Sequence, residues 1–280
     1  MDLKSLYDIV PWEWPKNADK LILGVLRDDG ADTSDRILAA TLAGDSVIVN
    51  DELVDVLLSV LGNGAEADDL RGRAAISLGP ALEYADTEWV EEADTFDDPS
   101  AVPISEKTFR KVQETLHNIY LDAATPKNVR RRVLEAAVRA PQDWHETAIR
   151  EAYSSADPDW KLTAVFCMRF VRGFDDAILE SLTSKNEDIR YEAVCAAGNF
   201  EVDAAWPHIT KIITSKKADK RLLLAAIEAT AGIRPDETLT VLYDLLNSED
   251  EDIVDAVHEA MAMAGDDWAE GSDDDEDDEW

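Results

Sequence analysis

The chain of 280 residues has little cysteine, little histidine and no long apolar run, and each absence narrows what it can do. Two cysteines, Cys167 and Cys195, cannot build a disulfide framework; flanked by apolar neighbours, they read as small core fillers suited to a reducing compartment. Four histidines, His117, His145, His208 and His258, are scattered, with no HExxH pair and no Cys/His cluster at metal-ligand spacing. No G-x-S-x-G, Walker A or G-x-G-x-x-G segment occurs. Carboxylate pairs are so common that none stands out as an acid/base dyad. The sequence therefore predicts no catalytic residue, no metal and no cofactor. No run of about 18 apolar residues exists, so no membrane span is expected. Met1-Asp2-Leu3-Lys4-Ser5 lacks the basic and apolar regions of a signal peptide, which makes a cytoplasmic protein the expectation.

Positive charge is scarce as well, and its scarcity is uneven. The formal net charge is -34. Residues 1–104 carry 7 basic and 23 acidic side chains, residues 105–234 carry 20 and 19, and residues 235–280 carry 19 acidic and no basic ones. A salt-adapted surface would be acidic throughout, yet the middle is balanced and holds nine of the twelve lysines. The acidity is local to the two ends. Nucleic-acid binding needs phosphate neutralisation, so a chain of this charge is a poor candidate for direct contact with DNA or RNA.

What is present is a repeat. One column reads Ser34, Asp69, Asn128, Asp159, Asp188, Asp219 and Asp252; two residues later another reads Arg36, Arg71, Arg130, Lys161, Arg190, Arg221 and Val254. The gaps are 35, 59, 31, 29, 31 and 33 residues, and the gap of 59 reads as about two units. A period near 30 residues marks a solenoid of small supersecondary units. Five and six residues past the Asp column lie small or apolar pairs such as Ala39-Ala40, Ala74-Ala75 and Ala193-Val194. Each unit reads as an Asp-started helix, a break, a second helix and a short polar turn. Pro141 and Pro235 fall in breaks, while Pro126 and Pro158 fall at helix starts, where the missing N–H has no helical partner to lose. No convincing strand is present, so the prediction is all-α.

Asp69-Leu70-Arg71-Gly72-Arg73-Ala74-Ala75-Ile76-Ser77-Leu78-Gly79 and Glu187-Asp188-Ile189-Arg190-Tyr191-Glu192-Ala193-Val194-Cys195-Ala196-Ala197-Gly198 resemble the HEAT-like repeat of the phycobilin-lyase type. The resemblance implies a right-handed α-solenoid of about seven helix pairs over residues 18–264, with second helices lining its concave face. It also implies that Asp69, Arg71, Arg130, Asp159, Lys161, Asp188, Arg190, Asp219 and Arg221 form a structural ladder between repeats. Some HEAT-like proteins attach or detach bilins and others are alkylpurine DNA glycosylases. A lyase-like or chromophore-maturation role is therefore the alternative to a binding role.

Around this body, residues 1–17 read as an N-terminal cap, with Trp12 and Trp14 covering the first repeat. Residues about 83–104 read as an acidic insertion before a second helix that begins near Ser105. Residues 265–280 read as a disordered acidic tail, because self-repulsion without a core prevents folding. The functional expectation is a non-catalytic scaffold, adaptor or escort that binds another protein with a basic surface. Candidate partner-binding residues are Trp144 and Trp206 near the starts of second helices, Asp94, Asp97 and Asp98 in the insertion, and Asp273, Asp274, Asp275, Glu276, Asp277, Asp278 and Trp280 in the tail.

Overall fold

The fold is that of a computed structural model, which describes residues 2–45, 47–91, 104–215 and 217–270. Among the described residues the regular structure is helical, without strands. The chain divides into two compact units, residues 1–145 and 146–280.

The N-terminal unit contains α1 (Leu3–Tyr7), α2 (Ala18–Leu26), α3 (Thr33–Ala43), α4 (Asp51–Gly62), α5 (Asp68–Ile76), α6 (Gly79–Glu91), α7 (Glu106–Leu121) and α8 (Lys127–Ala137). The boundary falls inside α9 (Asp143–Ser154). First helices α3, α5 and α8 pack side by side, and second helices α2, α4 and α7 form the layer beneath. Because α5 packs directly against α8, no unit lies between them. The 59-residue spacing is thus one repeat carrying an insertion, not two repeats. Part of that insertion is regular: α6 runs through residue 91 and packs on α7 and α8, with Glu83 paired to Arg139. Asp94, Asp97 and Asp98 lie outside the described residues.

The C-terminal unit holds α10 (Pro158–Cys167), α11 (Asp175–Ser181), α12 (Glu187–Asn199), α13 (Trp206–Ile213), α14 (Lys220–Ile233), α15 (Pro235–Leu242) and α16 (Glu251–Glu270). Here α10, α12, α14 and α16 are the first helices, each packed against the next, with α11, α13 and α15 behind. Each unit is therefore a two-layer stack of helix pairs, in which a repeat buries its apolar face only against its neighbours. The last helix reaches six residues past the boundary read from the sequence. Asp273, Asp274, Asp275, Glu276, Asp277, Asp278 and Trp280 lie outside the described residues.

Local chemistry explains the helix ends. Asn50, Asn186, Asp219 and Ser105 accept hydrogen bonds from first-turn N–H groups of α4, α12, α14 and α7. Each satisfies donors that have no helical partner, worth about 1 kcal/mol per cap. The Ala columns supply the close packing: Ala39, Ala74, Ala164 and Ala193 are all fully buried. Glycine brings α12 and α14 closest. A Cβ on Gly232 would stand 2.6 Å from the Gly198 carbonyl oxygen, and one on Gly198 would stand 2.9 Å from Ala229 Cα.

One tryptophan holds the N-terminal segment together. Trp14 Nε1 donates to the carbonyls of Leu6 (2.9 Å) and Ile9 (3.2 Å), pinning α1, while Leu3 and Leu6 are buried. Trp12 is 76% exposed on the turn Pro11–Glu13.

Candidate protein-docking surface

In the N-terminal unit the basic column reaches backbone carbonyls. Arg36 donates to the Leu26 carbonyl (3.2 Å), Arg71 to Leu61 (2.9 Å) and Arg130 to Tyr120 (2.8 Å). Each acceptor lies ten residues upstream, in the last turn of the preceding second helix, where carbonyls lack intrahelical donors. A guanidinium there satisfies the orphan acceptor, suits the negative helix end and ties the second helix to the first helix that follows. Arg36 also forks onto Glu66, both contacts at 2.8 Å. Asp69 is exposed and joins no ion pair among the described residues.

In the C-terminal unit a ladder does connect repeats, with partly different members. Arg221 Nη1 meets Asp188 at 2.9 Å, and its Nη2 lies 3.8 Å from Glu192, which also receives Arg169 Nη1 at 3.2 Å. Lys220 carries the chain onward to Asp250 (2.7 Å) and Asp252 (2.5 Å) at the start of α16. Lys161 instead pairs with Glu180 at 3.1 Å, and Arg190 donates to the Ser184 carbonyl at 2.8 Å. Asp219 caps α14; Asp159 stands in the first turn of α10. Sequence reading missed Arg169 and Glu192. The signal was available: Glu192 follows Asp188 by four residues, which places both carboxylates on one helix face.

The two tryptophan candidates separate. Trp206 is 7% exposed beneath the Arg234 guanidinium, 5.4 Å from the ring, and offers no face to a partner. Its position at the first turn of α13 points it into the layer beneath α14, which the sequence spacing alone does not reveal. Trp144 is half-buried, stacked on His117 at 4.6 Å and tilted against His145 at 3.8 Å, with Nε1 donating to Gln142 Oε1 at 2.9 Å. Both aromatic candidates are structural in their contacts.

The concavities lie instead along first helices. In the N-terminal unit one of about 510 Å³ is bordered by Asp68, Asp69, Arg73, Arg131 and Arg132, a rim of mixed sign. In the C-terminal unit a groove of about 750 Å³ runs over the seam of α14 and α16. Its floor and walls include Leu224, Ala225, Ala256, Ala260 and Met263, with Tyr191 at one side. Met263 is 57% exposed. Leu224 occupies a column that is fully buried as Ala in earlier repeats, yet here it is half-buried. Lys220 and Arg221 at one end of the groove are neutralised by the pairs just described. Glu228, Asp255 and Glu259 are exposed and form no ion pair among the described residues.

In a neighbouring concavity lined by Arg169, Tyr191 and Cys195, burial pushes the Cys195 thiol up; Arg169 opposes this, and Glu192 and Glu228 add to it. Among the described residues no group of three or more His, Cys, Asp or Glu side chains could hold a metal ion, and no helix is long and apolar enough to cross a membrane.

No family model matches the chain, and no curated protein matches it. It is similar to the crystal structure of the Escherichia coli protein YibA, with 17% identity over 93% of this chain and 85% of that one, at a TM-score of 0.45. It is also similar to human deoxyhypusine hydroxylase in complex with glycerol, with 16% identity over 94% and 88% of the two chains and a TM-score of 0.42. Neither likeness bears on activity.

Proposed function

We propose that this chain is a non-catalytic scaffold that binds another protein through a basic surface of that partner. The observation that carries the reading is the α14–α16 groove, where apolar side chains lie beside Glu228, Asp255 and Glu259, carboxylates that form no ion pair among the described residues. Elsewhere in the same unit the carboxylates of Asp188, Glu192, Asp250 and Asp252 are each matched to a lysine or arginine. Unmatched carboxylates around an apolar groove favour a ligand that brings its own positive charge. Such complementarity speeds encounter and selects partners more than it adds raw affinity.

The test compares the full chain's affinity for a small basic protein with that for an acidic protein of equal size. The basic protein is expected to bind at least about tenfold more tightly at about 50 mM salt, and to lose about tenfold or more by about 300 mM as screening shortens. Equal affinity for both proteins, or a flat salt response, refutes the reading.

A further inference from the structure

The groove has the geometry of a helix receptor. On α16 its lining residues are Asp252, Asp255, Ala256, Glu259, Ala260 and Met263. These fall on one helix face in two stripes, the carboxylates at 252, 255 and 259 and the apolar side chains at 256, 260 and 263. The twelve residues from Asp252 to Met263 rise about 16 Å, so the wall is about three turns long. The alanines on this wall, and Ala225 across it on α14, keep the seam shallow enough for another helix to approach at the usual 8–10 Å or so between axes. Met263 supplies an unbranched, adaptable side chain at the far end, suited to varied apolar partners.

Charge decides which helix fits. A second copy of α16 is excluded, since residues 235–280 contain no lysine or arginine and would set carboxylates against carboxylates. Building on the reading above, we propose that the α14–α16 groove receives an amphipathic helix of a partner protein, about three turns long. The partner helix carries lysine or arginine facing Glu228, Asp255 and Glu259 and lays apolar side chains over Leu224, Ala256 and Met263. The paired Lys220 and Arg221 mark the end of the groove where a partner's cation gains nothing, so its basic residues concentrate toward Glu228 and Glu259.

The probe is a synthetic amphipathic helical peptide of leucine, alanine and lysine, titrated into the full chain and followed by calorimetry and by the peptide's gain in helical circular dichroism. Wild type is compared with the triple variant Glu228→Lys, Asp255→Lys, Glu259→Lys. A control triple, Glu13→Lys, Asp69→Lys, Glu114→Lys, changes the net charge equally in the N-terminal unit. All replaced side chains are exposed, and thermal melts confirm that each variant folds. The groove triple is expected to weaken the peptide at least about 30-fold, and the control less than about threefold. Met263→Asp is expected to weaken it about tenfold. Equal loss in both triples, binding without helix gain, or tighter binding of a peptide with glutamate for lysine overturns the groove assignment. If the small basic protein binds wild type and the groove triple alike, the groove is wrong and the scaffold reading stands. If neither peptide nor basic protein binds wild type, both fall.

Discussion

Acidification should destabilise the N-terminal unit through one side chain. His145 is 0% exposed, lies under Trp144 and uses Nδ1 to accept the Gln142 backbone N–H at 2.8 Å. A backbone N–H can only donate, so Nδ1 must be unprotonated and the imidazole proton sits on Nε2, which has no hydrogen-bond partner among the described residues. Protonation of Nδ1 would bury a charge and break the one hydrogen bond the ring accepts. Burial accordingly lowers the pKa to about 4; the Gln142 hydrogen bond works against this and His117 adds to it. The unfolded chain takes up this proton near pH 6.5, the folded chain only near 4. Between those values the unfolded state binds more protons, so stability is full above about pH 6.5 and falls as pH drops toward 4. The total loss is about 3 kcal/mol, of which about 2 kcal/mol has gone by pH 5. His145→Asn keeps an acceptor for the Gln142 N–H and removes the titration. Urea unfolding at pH 7.5, 6 and 5 should show the wild type losing about 2 kcal/mol more than the variant over that range. Parallel pH profiles for the two proteins, or a histidine NMR titration that puts His145 near 6.5, would refute the reasoning.

Further outcomes follow from ion pairing and packing. Arg36→Ala strips the Leu26 carbonyl and leaves Glu66, at 14% side-chain exposure, without its fork; urea titration should register a loss of about 3 kcal/mol. Arg27→Ala, from an exposed pair with Glu52, should lose no more than about 1 kcal/mol in the same experiment. Gly232→Ala should cost about 1–3 kcal/mol, because the new Cβ meets the backbone oxygen of Gly198, which cannot swing aside. Gly62→Ala meets nothing within 4 Å near the end of α4 and should be neutral or slightly stabilising by thermal melt. Trp206→Ala should destabilise by about 3–5 kcal/mol while leaving affinity for a basic peptide unchanged; a selective loss of affinity in a well-folded variant would return Trp206 to the list of docking residues.

The paired-helix repeat was legible in the chain itself, because its determinants are local and periodic. Caps such as Asp219 and Asn186, prolines at helix starts and buried small residues at a 30-residue phase each act within one unit, and the repetition multiplies the signal. What the basic column binds was not legible. Arg36, Arg71 and Arg130 reach carbonyls ten residues back, whereas Arg221 reaches Asp188 in another repeat, and the same periodic letter serves both uses. The choice depends on which acceptor the packed helices leave unsatisfied, a property of three-dimensional contact. The same holds for function. Trp144 and Trp206 are the residue type expected at a docking site, yet tertiary packing buries Trp206, stacks the half-buried Trp144 on His117, and leaves Glu228, Asp255, Glu259 and Met263 exposed around the groove. Composition fixes how much negative charge the chain carries, but only the juxtaposition of α14 with α16 decides which carboxylates find a cation and which are left for a partner.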